Sequence, residues 1–324
     1  MTITIIGSGN IAHALVTCLN IEITDKIYVL TSQLFDSDII KTNLQPCKGK
    51  IDLISNEPSE IIPKSDLIIL TVPAHVRQNI IERISPFIRL SSIIGSFPGV
   101  AGFNEEVEKF INKDINIFAS QRVPYIARIE KKGYFVNVDK KDEIYVAIKY
   151  NQQDIKQLLE KLLGLKVNIL NNFLEVNLSN SNPILHSARL YDIIQDEDIK
   201  EDIYFYKEWT DNTSKILLAM DNEFMKIVKQ LKLNIKSLKE HYEVQNYSEM
   251  TQKIKSIKSF QNIKVPVIKN PNGYILDIFS RYFTEDIDKS LFYIKKYATL
   301  KSIDIPNINK VFNSLKQYKD NRYD

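Results

Sequence analysis

Cysteine is scarce in this chain: only Cys18 and Cys47 occur among 324 residues. That leaves no disulfide framework and no zinc-ligand spacing, and it points to a reducing compartment. Long apolar runs are missing too. None reaches the roughly 18–20 residues that span a bilayer. Residues 2–6 are too short for the apolar region of a secretory signal before Gly7 interrupts them. The expectation is a cytoplasmic protein with no membrane contact. Charge of one sign is lacking as well. The 43 basic and 40 acidic residues leave +3, too even a balance to argue for nucleic acid. No internal repeat and no low-complexity linker separates segments, and no metal site is expected. The lysines between 226 and 269 read as a solvated helix face.

What is present has two textures. The first half alternates short β-branched runs with helical stretches. Residues 3–6, 26–30, 67–72 and 92–96 are apolar on both faces, as buried parallel strands are. Residues 10–19, 74–84 and 101–111 carry helical spacing between them. This alternation predicts an α/β, Rossmann-type doubly wound sheet. A further strand is expected at 115–119, a pair at 134–138 and 144–149, and a helix at 152–163 ended by Gly164. From about residue 171 the pattern turns helical. One long helix over 173–194 kinked at Pro183 is followed by helices at 212–231, 235–242, 250–260, 276–283 and 290–299, and by one starting at Pro306. At 324 residues, two domains are expected: a dinucleotide-binding domain over 1–168 and an all-α substrate and catalytic domain over 169–324.

Gly7-Ser8-Gly9-Asn10-Ile11-Ala12 fits the glycine-rich dinucleotide fingerprint. The fit gains weight because the segment follows a predicted strand and opens a predicted helix. Gly7 permits the turn and Gly9 lets backbone approach a pyrophosphate at the helix N-terminus. Ala12 keeps helix and sheet close. About 20 residues on, where NAD enzymes place an acid on the ribose hydroxyls, stand Thr31 and Ser32. Hydroxyls tolerate a 2′-phosphate, so NADP is favoured over NAD, although no arginine stands there and Asp36 and Lys41 lie nearby with opposite charges. Pro73, at the end of one strand, and Ser96-Phe97-Pro98-Gly99, after another, fall at the carboxyl edge where such ligands bind.

In the second half, Asn182-Pro183-Ile184-Leu185-His186 offers a proton donor near neutral pH. Ser280-Arg281-Tyr282-Phe283-Thr284-Glu285-Asp286 offers a carboxylate clamp in Arg281 and a partner for a histidine in Asp286. Thr284-Glu285-Asp286 also reads as a helix N-cap with acids in the first turn. Arg122 and Arg189 are the next candidates for a clamp. These motifs, with Tyr204-Phe205-Tyr206-Lys207-Glu208 between them, make the chain resemble the opine dehydrogenases of the octopine and nopaline type over nearly its whole length. Trp209 and Asp211-Asn212-Thr213 depart from the family pattern and bear on the amine. The resemblance implies an NAD(P)H-dependent oxidoreductase that condenses an amino acid or other amine with an α-keto acid. His186 and Asp286 would act as the acid–base pair and Arg281 would hold the keto acid. A homodimer is left open. Two alternatives share parts of this reading: a ketopantoate-reductase-like or 2-hydroxy acid dehydrogenase, and a non-catalytic dinucleotide-binding redox sensor.

Overall fold

The computed structural model describes every residue except Leu34, Asp36, Pro46, Cys47, Asn112, Lys113, Glu197, Asp198, Asn272, Tyr323 and Asp324. The chain forms two compact units, Met1–Ser179 and Asn180–Asp324. No helix among the described residues is long and apolar enough to cross a membrane.

The first unit is built on strands β1 (Thr2–Ile6), β2 (Lys26–Leu30), β3 (Ile39–Thr42), β4 (Lys48–Lys50), β5 (Leu53–Ser55), β6 (Leu67–Leu70), β7 (Ile93–Ser96), β8 (Asn116–Ser120), β9 (Tyr125–Lys131), β10 (Phe135–Lys140), β11 (Glu143–Lys149) and β12 (Lys166–Ile169). Eight of them form one sheet in the order β12-β11-β8-β7-β6-β1-β2-β5. All its pairings are parallel except β11 with β8. Strand β6, Leu-Ile-Ile-Leu, is buried throughout, as a central strand covered on both faces must be. Helices α1 (Asn10–Cys18), α2 (Pro58–Ile61), α3 (Ala74–Ile84), α4 (Phe103–Phe110) and α5 (Gln152–Leu163) flank the sheet. In α5, Ile155, Leu159, Leu162 and Leu163 are buried at helical spacing, and Gly164 ends the helix at φ +60°.

The expected pairing of 134–138 with 144–149 does not form. β10 instead joins β9, β3 and β4 in a separate four-stranded sheet, while β11 lies in the main sheet. The β9–β10 hairpin of that second sheet packs on α1. The single kinked helix over 173–194 also gives way. α6 (Phe173–Leu178) stays with the first unit, and α7 (Asn182–Ile193) opens the second. Pro183 sits in the first turn of α7, where its missing N–H costs nothing, so it starts a helix instead of bending one. The units therefore divide at 179/180, beyond the expected 168/169, because β12 and α6 pack with β11 and β8.

The second unit holds α7, α8 (Asp211–Gln230), α9 (Leu238–Tyr242), α10 (Tyr247–Ser256), a short hairpin of β13 (Val267–Asn270) and β14 (Gly273–Leu276), π-helical turns over Tyr282–Leu291, α11 (Phe292–Leu300) and α12 (Pro306–Asp320). Helix α7 packs against α8, α12 and the π-helical segment. Ten of its twelve residues are buried, which marks it as the central helix of the unit. Where a helix is expected at 276–283, β14 ends at Leu276, a turn follows, and helical backbone starts only at Arg281.

Candidate active site

The first unit carries a cleft of about 580 Å³ at the carboxyl ends of β1, β2 and β6, within the range of small-molecule sites. Gly7, Ser8 and Gly9 line it, with Thr31, Ser32, Gln33, Thr71, Pro73 and Arg83. Gly7 stands at φ +120°, and a Cβ there would meet Thr71 Oγ1 at 2.8 Å, so this turn requires glycine. At Gly9 a Cβ would meet nothing within 4 Å. The space in front of Gly9 at the N-terminus of α1 is open, with no side chain capping the helix and no acid in its first turn. Free amides facing open space form a cradle that fits a diphosphate, so the residues present fit a dinucleotide.

The rest of the fingerprint turns elsewhere. Asn10 accepts a hydrogen bond from the Ile129 N–H through its side chain, at 2.9 Å. Ala12 is fully buried, and neither Ile11 nor these two lines the cleft. Asp36, weighed as a ribose ligand, lies outside the described residues. Arg83 was missed in the sequence because its codeword, a helix position far from the second strand, carries no local signal. After β7, the buried Arg77 guanidinium holds Glu106 at 2.6 Å and the Val100 carbonyl at 2.9 Å, which fixes the loop that follows the cis Phe97–Pro98 bond.

In the second unit, His186 lies one turn into α7 and is 7% exposed. Its Nδ1 is 2.8 Å from Asp286 Oδ2, and its Nε2 is 2.8 Å from the Tyr206 hydroxyl. Asp286 is 8% exposed. A buried carboxylate can only accept, so Nδ1 carries the proton and the tautomer is set. Burial raises the Tyr206 phenol above its ordinary pKa, so it keeps its proton and donates to the free Nε2 lone pair. An aromatic wall encloses the imidazole. Tyr282 meets it edge-on at 4.6 Å, Phe205 at 5.3 Å, and these two rings stack at 4.7 Å. Burial pushes the Tyr282 phenol up to about 12. Tyr206 itself is backed by Phe260 at 4.2 Å and by Trp209.

One side chain fixes the loop that presents Tyr206. Arg189, one turn beyond His186, donates from Nε to the Phe205 carbonyl at 3.1 Å and reaches Asp192 at 3.4 Å. It is committed inside the unit, which removes it as a free clamp. The departures at 209–213 are structural here. Trp209 is fully buried and donates to Ser214 Oγ, and Thr210 caps α8.

Asp286 does not start a helix as expected; it lies within the π-helical turns of Tyr282–Leu291. Arg281 is exposed and stands directly before that segment.

A phosphate-loop cleft on a doubly wound sheet, followed by a helical unit with a buried His–Asp–Tyr trio, is the architecture of a two-domain nicotinamide-dependent dehydrogenase. Residues 169–318 match the family model described as NAD/NADP octopine/nopaline dehydrogenase, alpha-helical domain. A tauropine dehydrogenase of Arabella iricolor is 23% identical, over 96% of this chain and 89% of that protein. An octopine dehydrogenase solved with NADH and L-arginine superposes with a TM-score of 0.82 at 22% identity, covering 98% of this chain and 89% of the other. The same enzyme with NADH and pyruvate gives 0.83 at 21% identity, over the same shares. A yersinopine dehydrogenase with bound NADP⁺ gives 0.75 at 13% identity, over 98% and 90%.

Proposed function

We propose that this protein is an NAD(P)H-dependent opine dehydrogenase that joins an amino acid, or another amine, to an α-keto acid and reduces the product to an N-(carboxyalkyl) amino acid. The observation that carries the proposal is His186 held between Asp286 and Tyr206 in the unit that matches the octopine/nopaline dehydrogenase helical domain.

The reaction has two steps to serve. The amine adds to the keto carbon and water leaves, forming a C=N bond. A hydride then reaches that carbon and a proton the nitrogen. The nicotinamide cofactor, bound in the first unit, supplies the hydride. His186 moves the protons through Nε2, the nitrogen that Asp286 does not occupy. Dehydration needs a proton delivered to the departing hydroxyl, and an imidazolium stabilised by a buried carboxylate can deliver it. Tyr206 holds Nε2 in line through its hydroxyl. Arg281 grips the keto acid carboxylate with its planar guanidinium. Gly7, Ser8 and Gly9 take the pyrophosphate, Thr31 and Ser32 the adenosine ribose, and Pro73 borders the cleft at the start of α3.

The same reading places the enzyme in the cytoplasm, with small amines and keto acids as its partners and a homodimer as the assembly to test. The functional experiment is a screen of amino acid and keto acid pairs, read by NAD(P)H absorbance. Cofactor oxidation that requires both is expected. Oxidation with a keto acid alone would instead make it a 2-hydroxy acid dehydrogenase, and binding without turnover on any pair would make it a sensor.

A further inference from the structure

The hairpin joining β9 to β10 is tied to the phosphate loop. At its tip the Gly133 N–H donates to His13 Nε2 at 2.9 Å, and His13 Nδ1 reaches the Gly9 carbonyl at 3.0 Å. Since Nε2 accepts, Nδ1 holds the proton and donates to Gly9. One neutral imidazole thus spans the tip of the hairpin and the second glycine of the fingerprint. It is fully buried and stacked on Phe35 at 4.9 Å. Burial lowers its pKa, which favours the neutral form that both bonds require. The Asn10–Ile129 bond ties the hairpin to the loop a second time.

This anchoring decides where Lys132 goes. Its ammonium donates to Gln33 Oε1, and the Gln33 N–H donates to Thr31 Oγ1 at 3.1 Å. Gln33, Thr31 and Ser32 line the end of the cleft that follows β2, and Arg83 lines the same cleft. Its described lining residues include no carboxylate. A ribose with free hydroxyls is best held by an acid, whereas a 2′-phosphate carries close to two negative charges and needs cations. The Lys132 ammonium reaches Gln33 from a hairpin 99 residues later in the chain.

We propose that the tip of the β9–β10 hairpin selects the cofactor, with Lys132 taking the 2′-phosphate of NADPH and His13 as the positioning residue that holds the tip over the ribose end. The proposal rests on reading the cleft as a dinucleotide site. Lys132 is exposed, so its contribution is screened by salt over a Debye length of about 8–10 Å near physiological ionic strength.

The test is direct titration of the full chain with NADPH and with NADH, read by nicotinamide fluorescence. The wild type is expected to favour NADPH. Lys132→Met should weaken NADPH about tenfold, equal to ~1.4 kcal/mol, and leave NADH within about twofold. Lys132→Arg should restore most of the loss, and raising salt should erode the NADPH advantage of the wild type more than that of Lys132→Met. His13→Gln should lower the ratio of NADPH to NADH affinity; a merely structural role would weaken both dinucleotides equally. If His13→Gln does not fold, the Lys132 pair still decides. An unchanged ratio in Lys132→Met, or equal loss of both cofactors, overturns the proposal while the site reading stands. If the wild type binds neither dinucleotide, the site reading fails and this proposal with it.

Discussion

Removing the charge of Asp286 without removing its shape isolates what the carboxylate does for His186. Asp286→Asn keeps an oxygen that can accept from Nδ1, 2.8 Å away. A charge-assisted hydrogen bond contributes about 1.5–3 kcal/mol net and a neutral one about 0.5–1.5, so the change costs the imidazolium about 1–2 kcal/mol. That is roughly a 5–30-fold loss in kcat. His186→Gln keeps an amide to donate to the buried Asp286 but cannot carry a proton, so it should lose the ~10²–10⁴-fold typical of general acid–base catalysis. The double variant is the informative one. With no imidazole to charge, the carboxylate has nothing to stabilise, so it should match His186→Gln alone within about twofold. Cofactor titration and thermal unfolding of all four proteins guard against loss of fold. Losses that multiply in the double variant would refute the pairing, as would an Asp286→Asn enzyme at wild-type kcat.

Arg281→Lys keeps the charge and loses the fork. It should weaken the keto acid roughly 10–150-fold, from the ~1.5–3 kcal/mol of a charge-assisted bond, with unchanged NAD(P)H affinity; unchanged keto acid kinetics would move the clamp elsewhere. Gly9→Val should abolish dinucleotide binding while leaving the melting temperature nearly unchanged, because its side chain would enter open space; retained binding would contradict the cradle. Asp221 is 3% exposed, and burial raises its pKa to about 6 from 3.8. The folded state therefore holds its proton longer than the unfolded one, and stability falls as pH rises between those values. Asp221→Asn keeps an acceptor for the Leu238 N–H. It should gain on the order of 2–3 kcal/mol at pH 8 and little at pH 4, read by denaturant unfolding. A gain that does not depend on pH would contradict the assignment.

The parts of this molecule legible in sequence are those whose signals are local. The fingerprint at Gly7 and Gly9 sits in its strand and helix, and Gly164 ends α5 where expected. Helices α8 and α12 begin within a residue of their expected starts. Strand β9 went unread although Tyr125, Ala127 and Ile129 alternate with exposed neighbours. Its burial depends on α1, which a reading of one segment does not contain. The π-helical turns over Tyr282–Leu291 were read as the end of one helix, an N-cap at Thr284 and the start of another, because apolar spacing does not separate a π-helix from an α-helix by pattern. Tyr206 was quoted as part of a motif and given no role. Its bond to His186 spans twenty residues and depends on Arg189 holding the intervening loop. Arg83 lines the cleft, and Lys132 meets Gln33 at its edge, only through the tertiary fold. Asp36 and Cys47, both weighed in the sequence, lie outside the described residues.

The most direct test of the central claim is the mass of the product. NADPH carrying deuterium in the transferred position at C4 of the nicotinamide is supplied with an amino acid and a keto acid that together support oxidation, and the mixture is analysed by mass spectrometry. The account predicts a secondary amine whose mass is the sum of the two substrates less one water, plus one deuterium and one hydrogen, with the deuterium on the former keto carbon. A deuterated 2-hydroxy acid in its place, with the amino acid recovered unchanged, would contradict it.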